Sequence, residues 1–225
     1  MKLEKYIDHT FLKPDGSPAD IARLCREARK FGFASVCVHP CEVARCARLL
    51  AGSGVKVCTV VGFPLGQNSP KTVEFEARQA VADGADELDF VVNVSRLKVA
   101  ARRGAASREA KAMADDFRRA LAAAKEAKSG VLSKLIIECC YLTDAEKVFA
   151  CRLAKASGFD FVKTSTGFGT GGATVADVKL MRRTVGAKTG VKAAGGIRTK
   201  ADALAMVAAG ATRLGCSCST RIIES

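Results

Sequence analysis

Two lysines and an aspartate stand out in this chain as groups that could work on a carbonyl. Lys163 ends the run Phe159-Asp160-Phe161-Val162-Lys163, and Lys192 stands in Val191-Lys192-Ala193-Ala194. Side chains alternate along a strand, so Lys163 shares the parity of Phe159 and Phe161 and is expected to point into an apolar interior. Burial penalises an ammonium, and a second cation on the neighbouring strand penalises it further. An uncharged amine attacks carbonyl carbon, which is what a Schiff-base enzyme needs. Asp89, in Asp86-Glu87-Leu88-Asp89-Phe90-Val91-Val92, places a carboxylate in a buried run, where such groups are paired. Lys192 is its expected partner, and the pair could move protons. Spacing alone leaves a second reading open, in which Lys163 is only a structural partner of Asp89 or Glu138.

Glycine-containing turns supply a second kind of chemistry. Gly195-Gly196-Ile197-Arg198, Gly215-Cys216-Ser217-Cys218-Ser219-Thr220 and Gly167-Phe168-Gly169-Thr170-Gly171-Gly172 each let the backbone approach a ligand closely and offer N–H groups to an anion. Ordinary turn chemistry is the competing reading. Asp8, Thr10, His39, Asn93, Glu138, Thr164-Ser165-Thr166 and Ser217 are further polar residues at expected strand ends. His9 and His39 are the only histidines, and neither lies in a base–nucleophile pattern. His39, before Pro40, reads as a packing or hydrogen-bonding residue. Val60-Val61-Gly62-Phe63-Pro64-Leu65-Gly66 reads as a wall of the mouth without chemistry of its own.

The elements that must hold these groups repeat. Glycines at 32, 54, 84, 130, 158, 190 and 210 each precede a short β-rich run and follow an Ala/Arg/Lys/Leu-rich helical segment. The expected strands are Ala34–Val38, Val55–Val61, Glu87–Val92, Lys134–Cys139, Phe159–Lys163, Val191–Ala194 and Thr212–Gly215, with a first strand near Tyr6–Phe11. Ser17-Pro18 and Ser69-Pro70 open helices. Thr143-Asp144-Ala145-Glu146 is a capping box, and Thr174 and Thr199 are weaker versions of it. An extra helix is expected between Asn93 and Gly130. Eight β-α units without a linker predict an α/β fold, a closed (β/α)8 TIM barrel in a single domain spanning 1–225. The alternative is an open doubly wound sheet, but no Gly-x-Gly-x-x-Gly follows the first strand. In such a barrel the working groups sit at the C-terminal strand ends, and the turns after strands 7 and 8 often hold a phosphate.

Composition narrows the class. The 225 residues are 48% hydrophobic and 6% aromatic with no Trp, which predicts a core of small and branched aliphatics. The charge is 36 − 23 = +13, spread along the chain. No aromatic residues interleave the basic run Arg96 to Arg119 to stack bases, so no nucleic-acid partner is expected; the basic shell would steer an anionic substrate. No membrane span and no leader are expected, which with the reduced-looking cysteines in apolar runs (Cys37, Cys58, Cys139, Cys140) reads as a cytoplasmic protein. Cys37-x3-Cys41 and Cys216-x-Cys218 match no zinc spacing, so no metal is expected.

Five blocks together carry a family resemblance: Asp8-His9-Thr10-Phe11-Leu12-Lys13-Pro14, Val60–Gly66, Gly84-Ala85-Asp86-Glu87-Leu88-Asp89, Phe161-Val162-Lys163-Thr164-Ser165-Thr166-Gly167-Phe168 and Lys192-Ala193-Ala194-Gly195-Gly196-Ile197-Arg198. In this order, over nearly the whole chain, they resemble the deoxyribose-phosphate aldolases, which are class I aldolases. The resemblance implies a reaction without cofactor, in which a small phosphorylated sugar, 2-deoxy-D-ribose 5-phosphate, is cleaved reversibly to acetaldehyde and D-glyceraldehyde 3-phosphate. It implies Lys163 as the Schiff-base lysine, Lys192 as the lysine that keeps it neutral, and Asp89 as the proton-relay carboxylate. It implies contacts to substrate from Asp8, Thr10, Thr166, Gly167, Gly195, Gly196, Gly215 and Ser217, and a homo-oligomer, dimer or tetramer. A Schiff-base aldolase with a keto-acid donor is the neighbouring alternative, and a basic polyanion-binding barrel the distant one. The chain departs from the family at Cys218, where a serine is usual and weaker phosphate binding is expected. It also ends at Ser225, without the longer tail whose terminal Tyr assists proton transfer in some members, so slower turnover or another group in that role is expected.

Overall fold

Eight strands alternate with helices from the first turn of the chain to the last. The computed structural model describes residues 2–225, with β1 at Ile7–Thr10, β2 at Ser35–Val38, β3 at Lys56–Val61, β4 at Glu87–Val91, β5 at Leu132–Ile136, β6 at Phe161–Lys163, β7 at Gly190–Ala194 and β8 at Arg213–Cys216. All neighbours pair in parallel and β8 pairs back to β1, which closes the barrel. The helices are α1 Pro18–Phe31, α2 Val43–Leu50, α3 Pro70–Ala82, α4 Val94–Arg103, α5 Arg108–Ala127, α6 Asp144–Ser157, α7 Val175–Val185, α8 Lys200–Ala208 and α9 Ser219–Glu224. α4 is the extra helix expected after Asn93, whose side chain accepts from Arg96 N–H and caps it. Among the described residues no helix is long and apolar enough to cross a membrane.

The punctuation works as its chemistry requires. Ser17, Thr143 and Thr199 each form a full capping box, so Thr199 is stronger than its sequence implied. Gly32 and Gly158 close α1 and α6 in the left-handed region. Gly190 differs: it is the first residue of β7, and its missing Cβ leaves room for the Phe161 ring.

Two packing layers result, and they differ in kind. Between sheet and helices lies the expected aliphatic core, with Val36, Leu88, Leu135, Val162, Val191 and Leu214 turned outward against helix residues such as Ala77, Leu97, Ala120 and Met181. The lumen is not apolar. Register pairs Asp8 with Ser35 and Gly215, Val60 with Asp89, Asp89 with Lys134, and Lys163 with Lys192, so charged side chains meet across the barrel. The expectation of an aliphatic interior therefore holds for the outer layer and only in part for the inner one, where Leu12, Cys37, Cys58 and Val60 form a small apolar cluster beside the charges. The parity argument at Lys163 is corrected for the same reason. β6 begins only at Phe161, and Phe159 packs on Phe90 and Phe117 outside the sheet.

Candidate active site

Lys163 is the last residue of β6, and its ammonium-bearing arm runs into the lumen with 3% of the residue exposed. Its Nζ lies 2.8 Å from Asp89 Oδ2, and Lys192 Nζ lies 2.8 Å from the same oxygen. The structure thus brings Lys163, Lys192 and Asp89 together around a single carboxylate. The surroundings are ionic and not greasy, as the sequence had implied. Lys192 is fully enclosed and also contacts Asp8 Oδ2 at 2.5 Å. Burial pulls the Lys192 amine down, but Asp8 and Asp89 outweigh it and hold its pKa above the ordinary lysine value. Burial would likewise push Asp89 up, yet Lys134, Lys163 and Lys192 together keep it well below the usual carboxylate range.

Three charged residues of the lumen were missed by sequence reasoning: Lys134, Glu87 and Arg213. Lys134, in the middle of β5, donates to Glu87 Oε2 at 2.6 Å and to Asp89 Oδ1 at 2.9 Å. Arg213, at the foot of β8, donates to Asp8 Oδ1 at 2.6 Å and to both oxygens of Glu87. The signal was available, because Glu87 shares Asp89's parity and Lys134 is a charge in an otherwise apolar run. Four basic groups (Lys134, Lys163, Lys192, Arg213) therefore share the lumen with three carboxylates (Asp8, Glu87, Asp89). Each carboxylate is held by at least two cations, and Lys163 is the amine with the fewest carboxylate contacts. Cys37, Cys58 and Asp89, and also Asp8, Cys58 and Glu87, bring metal-ligand atoms within 4.8 Å of one another. In both groups ammonium or guanidinium nitrogens already take the carboxylate oxygens, so the donor set is spent.

The remaining predicted residues divide by depth. Asp8, expected among the sugar contacts, lies below the mouth and is wholly buried, with its oxygens taken by Lys192, Arg213 and the Ser35 hydroxyl. Its place makes it a partner of Lys192. Gly215 also sits inside: a Cβ there would come within 2.9 Å of Ala194 Cβ and 3.2 Å of Lys192 Cε, so the glycine leaves a channel for the lysine stem. Thr10, at the rim of β1, donates to Asp8 O at 2.9 Å. Thr166 is buried, and its hydroxyl donates to Glu138.

At the mouth, Gly167, Gly195 and Gly196 all have positive φ (90°, 85° and 80°), which only glycine adopts freely. A Cβ on Gly195 would meet Gly172 Cα at 3.0 Å and Gly167 Cα at 3.8 Å, so the turns after β6 and β7 lie against each other. Ser217 is exposed on the adjoining turn. The Cys218 thiol, expected as a weak phosphate donor, faces the carbonyls of Ile197 at 3.5 Å and Arg198 at 3.7 Å instead. Beside the β6 turn a cavity of about 210 Å³ opens between Leu65, Val91, Tyr141 and Phe168, with Glu138, Thr166 and Gly169 on its wall. A larger groove lies outside the barrel between α5 and α6 and contains none of these groups. His39 Nε2 donates to Leu12 O at 3.0 Å, in keeping with a packing role.

A lysine amine at a strand end, a shared carboxylate beneath it and glycine turns at the rim define a TIM-barrel enzyme working on carbonyl compounds. Residues 2–219 match the model of the DeoC/LacD family aldolases. The chain belongs to that family and is an aldolase. It is 54% identical over 224 residues to deoxyribose-phosphate aldolase of Streptococcus uberis, covering all of this chain and 96% of the relative. It is 54% identical over 223 residues to deoxyribose-phosphate aldolase 1 of Bacillus licheniformis, covering 99% and 95%. The tetrameric deoxyribose phosphate aldolase of Aeropyrum pernix superposes with a TM-score of 0.88 at 32% identity, over 99% of this chain and 90% of that one.

Proposed function

We propose that this aldolase cleaves 2-deoxy-D-ribose 5-phosphate reversibly to acetaldehyde and D-glyceraldehyde 3-phosphate through a Schiff base on Lys163. The observation that carries the reading is the shared contact of Lys163 and Lys192 with one oxygen of Asp89, 2.8 Å each, beneath a glycine-lined mouth. As the free base, Lys163 Nζ adds to the aldehyde carbon, and loss of water gives a protonated imine that withdraws electrons. The C3 hydroxyl passes its proton through a water to Asp89, the C2–C3 bond breaks, and its electron pair moves into an enamine on Lys163. Glyceraldehyde 3-phosphate leaves. A proton delivered to the enamine carbon through Asp89, Lys192 and a water regenerates the imine, and hydrolysis frees acetaldehyde. Backbone N–H groups at Gly167, Gly195 and Gly196 with the Ser217 hydroxyl are assigned to the phosphate, and Thr10 to the sugar side of the mouth, while Thr166, its donors taken by Glu138, shapes the turn that carries Gly167. Gly215 and Asp8 act through Lys192. The electron sink is the imine, so the proposed cycle uses no cofactor.

Borohydride reduction in the presence of acetaldehyde tests this. An ethyl group should appear on Lys163 and on no other lysine, located by peptide mass spectrometry. A parallel arm with pyruvate decides the donor: labelling by pyruvate and not by acetaldehyde would replace this substrate by a keto acid. Labelling of Lys134 or Lys192 would move the nucleophile. A homo-oligomer belongs to the same proposal, supported by the tetrameric relative and by Phe75, 65% exposed on α3; sedimentation velocity checks it. A cytoplasmic setting is proposed from ten cysteines that are all free.

A further inference from the structure

Glu138 is the one non-glycine residue with positive φ among the described residues, at 55°. The cause is visible in the ladder. Ile137 N–H donates to Lys163 O and Cys139 N–H donates to Thr164 O, both at 2.9 Å. Two steps along one strand thus span a single step along its neighbour, a bulge that re-aims the side chain between them. This is also why β5 stops at Ile136 although the apolar run predicted a strand to Cys139. The Glu138 side chain turns inward at the mouth, 4% exposed, and its carboxylate makes no ion pair among the described residues.

Its two oxygens instead take two donors of one residue. Thr166 N–H reaches Oε1 at 3.1 Å, and the Thr166 hydroxyl reaches Oε2 at 2.5 Å. The same hydroxyl accepts Phe168 N–H at 3.0 Å. Gly169 closes the clasp, since a Cβ there would stand 3.3 Å from Glu138 Cδ and 2.9 Å from Cys140 Sγ. Gly167 is therefore bracketed by Thr166, whose two donors run to the carboxylate, and Phe168, whose N–H runs to the Thr166 hydroxyl. An amide in place of the carboxylate would offer one acceptor for two donors.

We propose that Glu138 is a positioning residue that holds the turn Thr166–Gly169 in the shape that presents Gly167 N–H to the substrate phosphate. It rests on the phosphate assignment made above. It touches neither the reacting carbon nor Lys163 Nζ, so its loss changes recognition of the phosphate end and spares the chemistry at C1 to C3.

The test compares 2-deoxyribose 5-phosphate with unphosphorylated 2-deoxyribose in Glu138→Gln and Glu138→Asn. Gln keeps the size and removes one acceptor. Asn suits the left-handed backbone better and is too short to reach Thr166. Both variants should raise KM for the phosphorylated sugar about tenfold with kcat within about threefold, and should leave kcat/KM for the unphosphorylated sugar within about twofold. Borohydride labelling of Lys163 by acetaldehyde should match the parent enzyme. Equal losses on both sugars would make Glu138 a structural residue and overturn the proposal, as would an unchanged KM in both variants. If the parent enzyme itself is not labelled, the Schiff-base reading fails instead, and the two failures are told apart.

Discussion

Replacing Lys134 by Met removes one buried cation and keeps the length of the side chain. Lys134 is fully enclosed; burial pulls its amine down, but Asp89, Cys58, Glu87 and Asp8 outweigh that and keep it charged. It and Lys163 contact opposite oxygens of Asp89, at 2.9 and 2.8 Å, which sets the two nitrogens roughly 6–8 Å apart. At an effective dielectric constant near 20, like charges about 7 Å apart repel by about 2.4 kcal/mol, or about 1.7 pH units. The sign follows from the balance. Four basic groups against three carboxylates leave a surplus cation, and the variant, with three against three, holds every remaining proton more tightly. The reacting amine must be the free base, so the acid limb of kcat/KM should move to higher pH by about 1.5–2 units. On that limb the loss at a given pH is about 50-fold, and it is recovered as the pH is raised. The assay is a pH series of kcat/KM for Lys134→Met and the parent, with circular dichroism confirming the fold, because leaving Glu87 and Asp89 short of a partner costs about 3–5 kcal/mol of stability. A limb that stays in place with a uniform drop in rate would refute the charge-balance reasoning, and an unaltered enzyme would refute it as well.

Gly215→Ala should fold and lose at least about tenfold in kcat/KM, because its Cβ would press on Ala194 and displace the Lys192 stem; an overpacking cost of about 1–3 kcal/mol should appear in the melting temperature. Cys218→Ser should leave KM for the phosphorylated sugar within about twofold, since the thiol faces the carbonyls of Ile197 and Arg198. The folded-state pKa values of Asp8 and Asp89 lie below their unfolded value, so their stabilisation is present above about pH 4 and is lost on further acidification. Lys192 is raised, so its contribution holds up to about pH 10 and is lost above that. Calorimetric melting across this range should show a plateau that erodes on the alkaline side first as pH passes the unfolded thiol value of about 8.5, because burial raises Cys58, Cys139, Cys151 and Cys216, and then with Lys192. On the acid side His9, whose pKa burial lowers against the pull of Glu27, adds a loss as pH falls below its unfolded value.

Much of the barrel was legible because its punctuation is local. A serine or threonine ahead of a helix and a glycine behind it act within one turn, and Ser17, Thr143, Gly32 and Gly158 all do so. Strand limits were less legible where an apolar run continues past the ladder, as at Ile137 to Cys139, because a bulge is a property of two strands and one strand's sequence does not contain it. Lys163 and its two partners were legible from charges set in buried runs. Lys134, Glu87 and Arg213 were not, although each carries the same signal, because a buried charge becomes intelligible only with its partner, and these partners come from strands 45 to 205 positions away.

The parity argument at Lys163 reached a sound geometry by way of an unsound premise. It required apolar neighbours to disfavour the ammonium; Phe161 does share the lumen face, beneath Arg213, but Phe159 is on the other side of the sheet. What surrounds the lysine is a lattice of fixed charges, and this serves the chemistry better than grease. An apolar pocket disfavours every ion, including the protonated imine proposed at the same nitrogen. Here Asp89 contacts that nitrogen at 2.8 Å and can stabilise the positive imine, while Lys192 and Lys134 keep the carboxylate ionised between proton transfers. Enclosure by paired ions thus separates two demands that burial alone sets against each other. Asp89→Asn tests this separation: with the charge gone and the shape kept, imine formation should slow along with enamine protonation, so that acetaldehyde labelling under borohydride falls as well as turnover. Labelling at the parent rate in that variant would show that Asp89 serves the proton step alone.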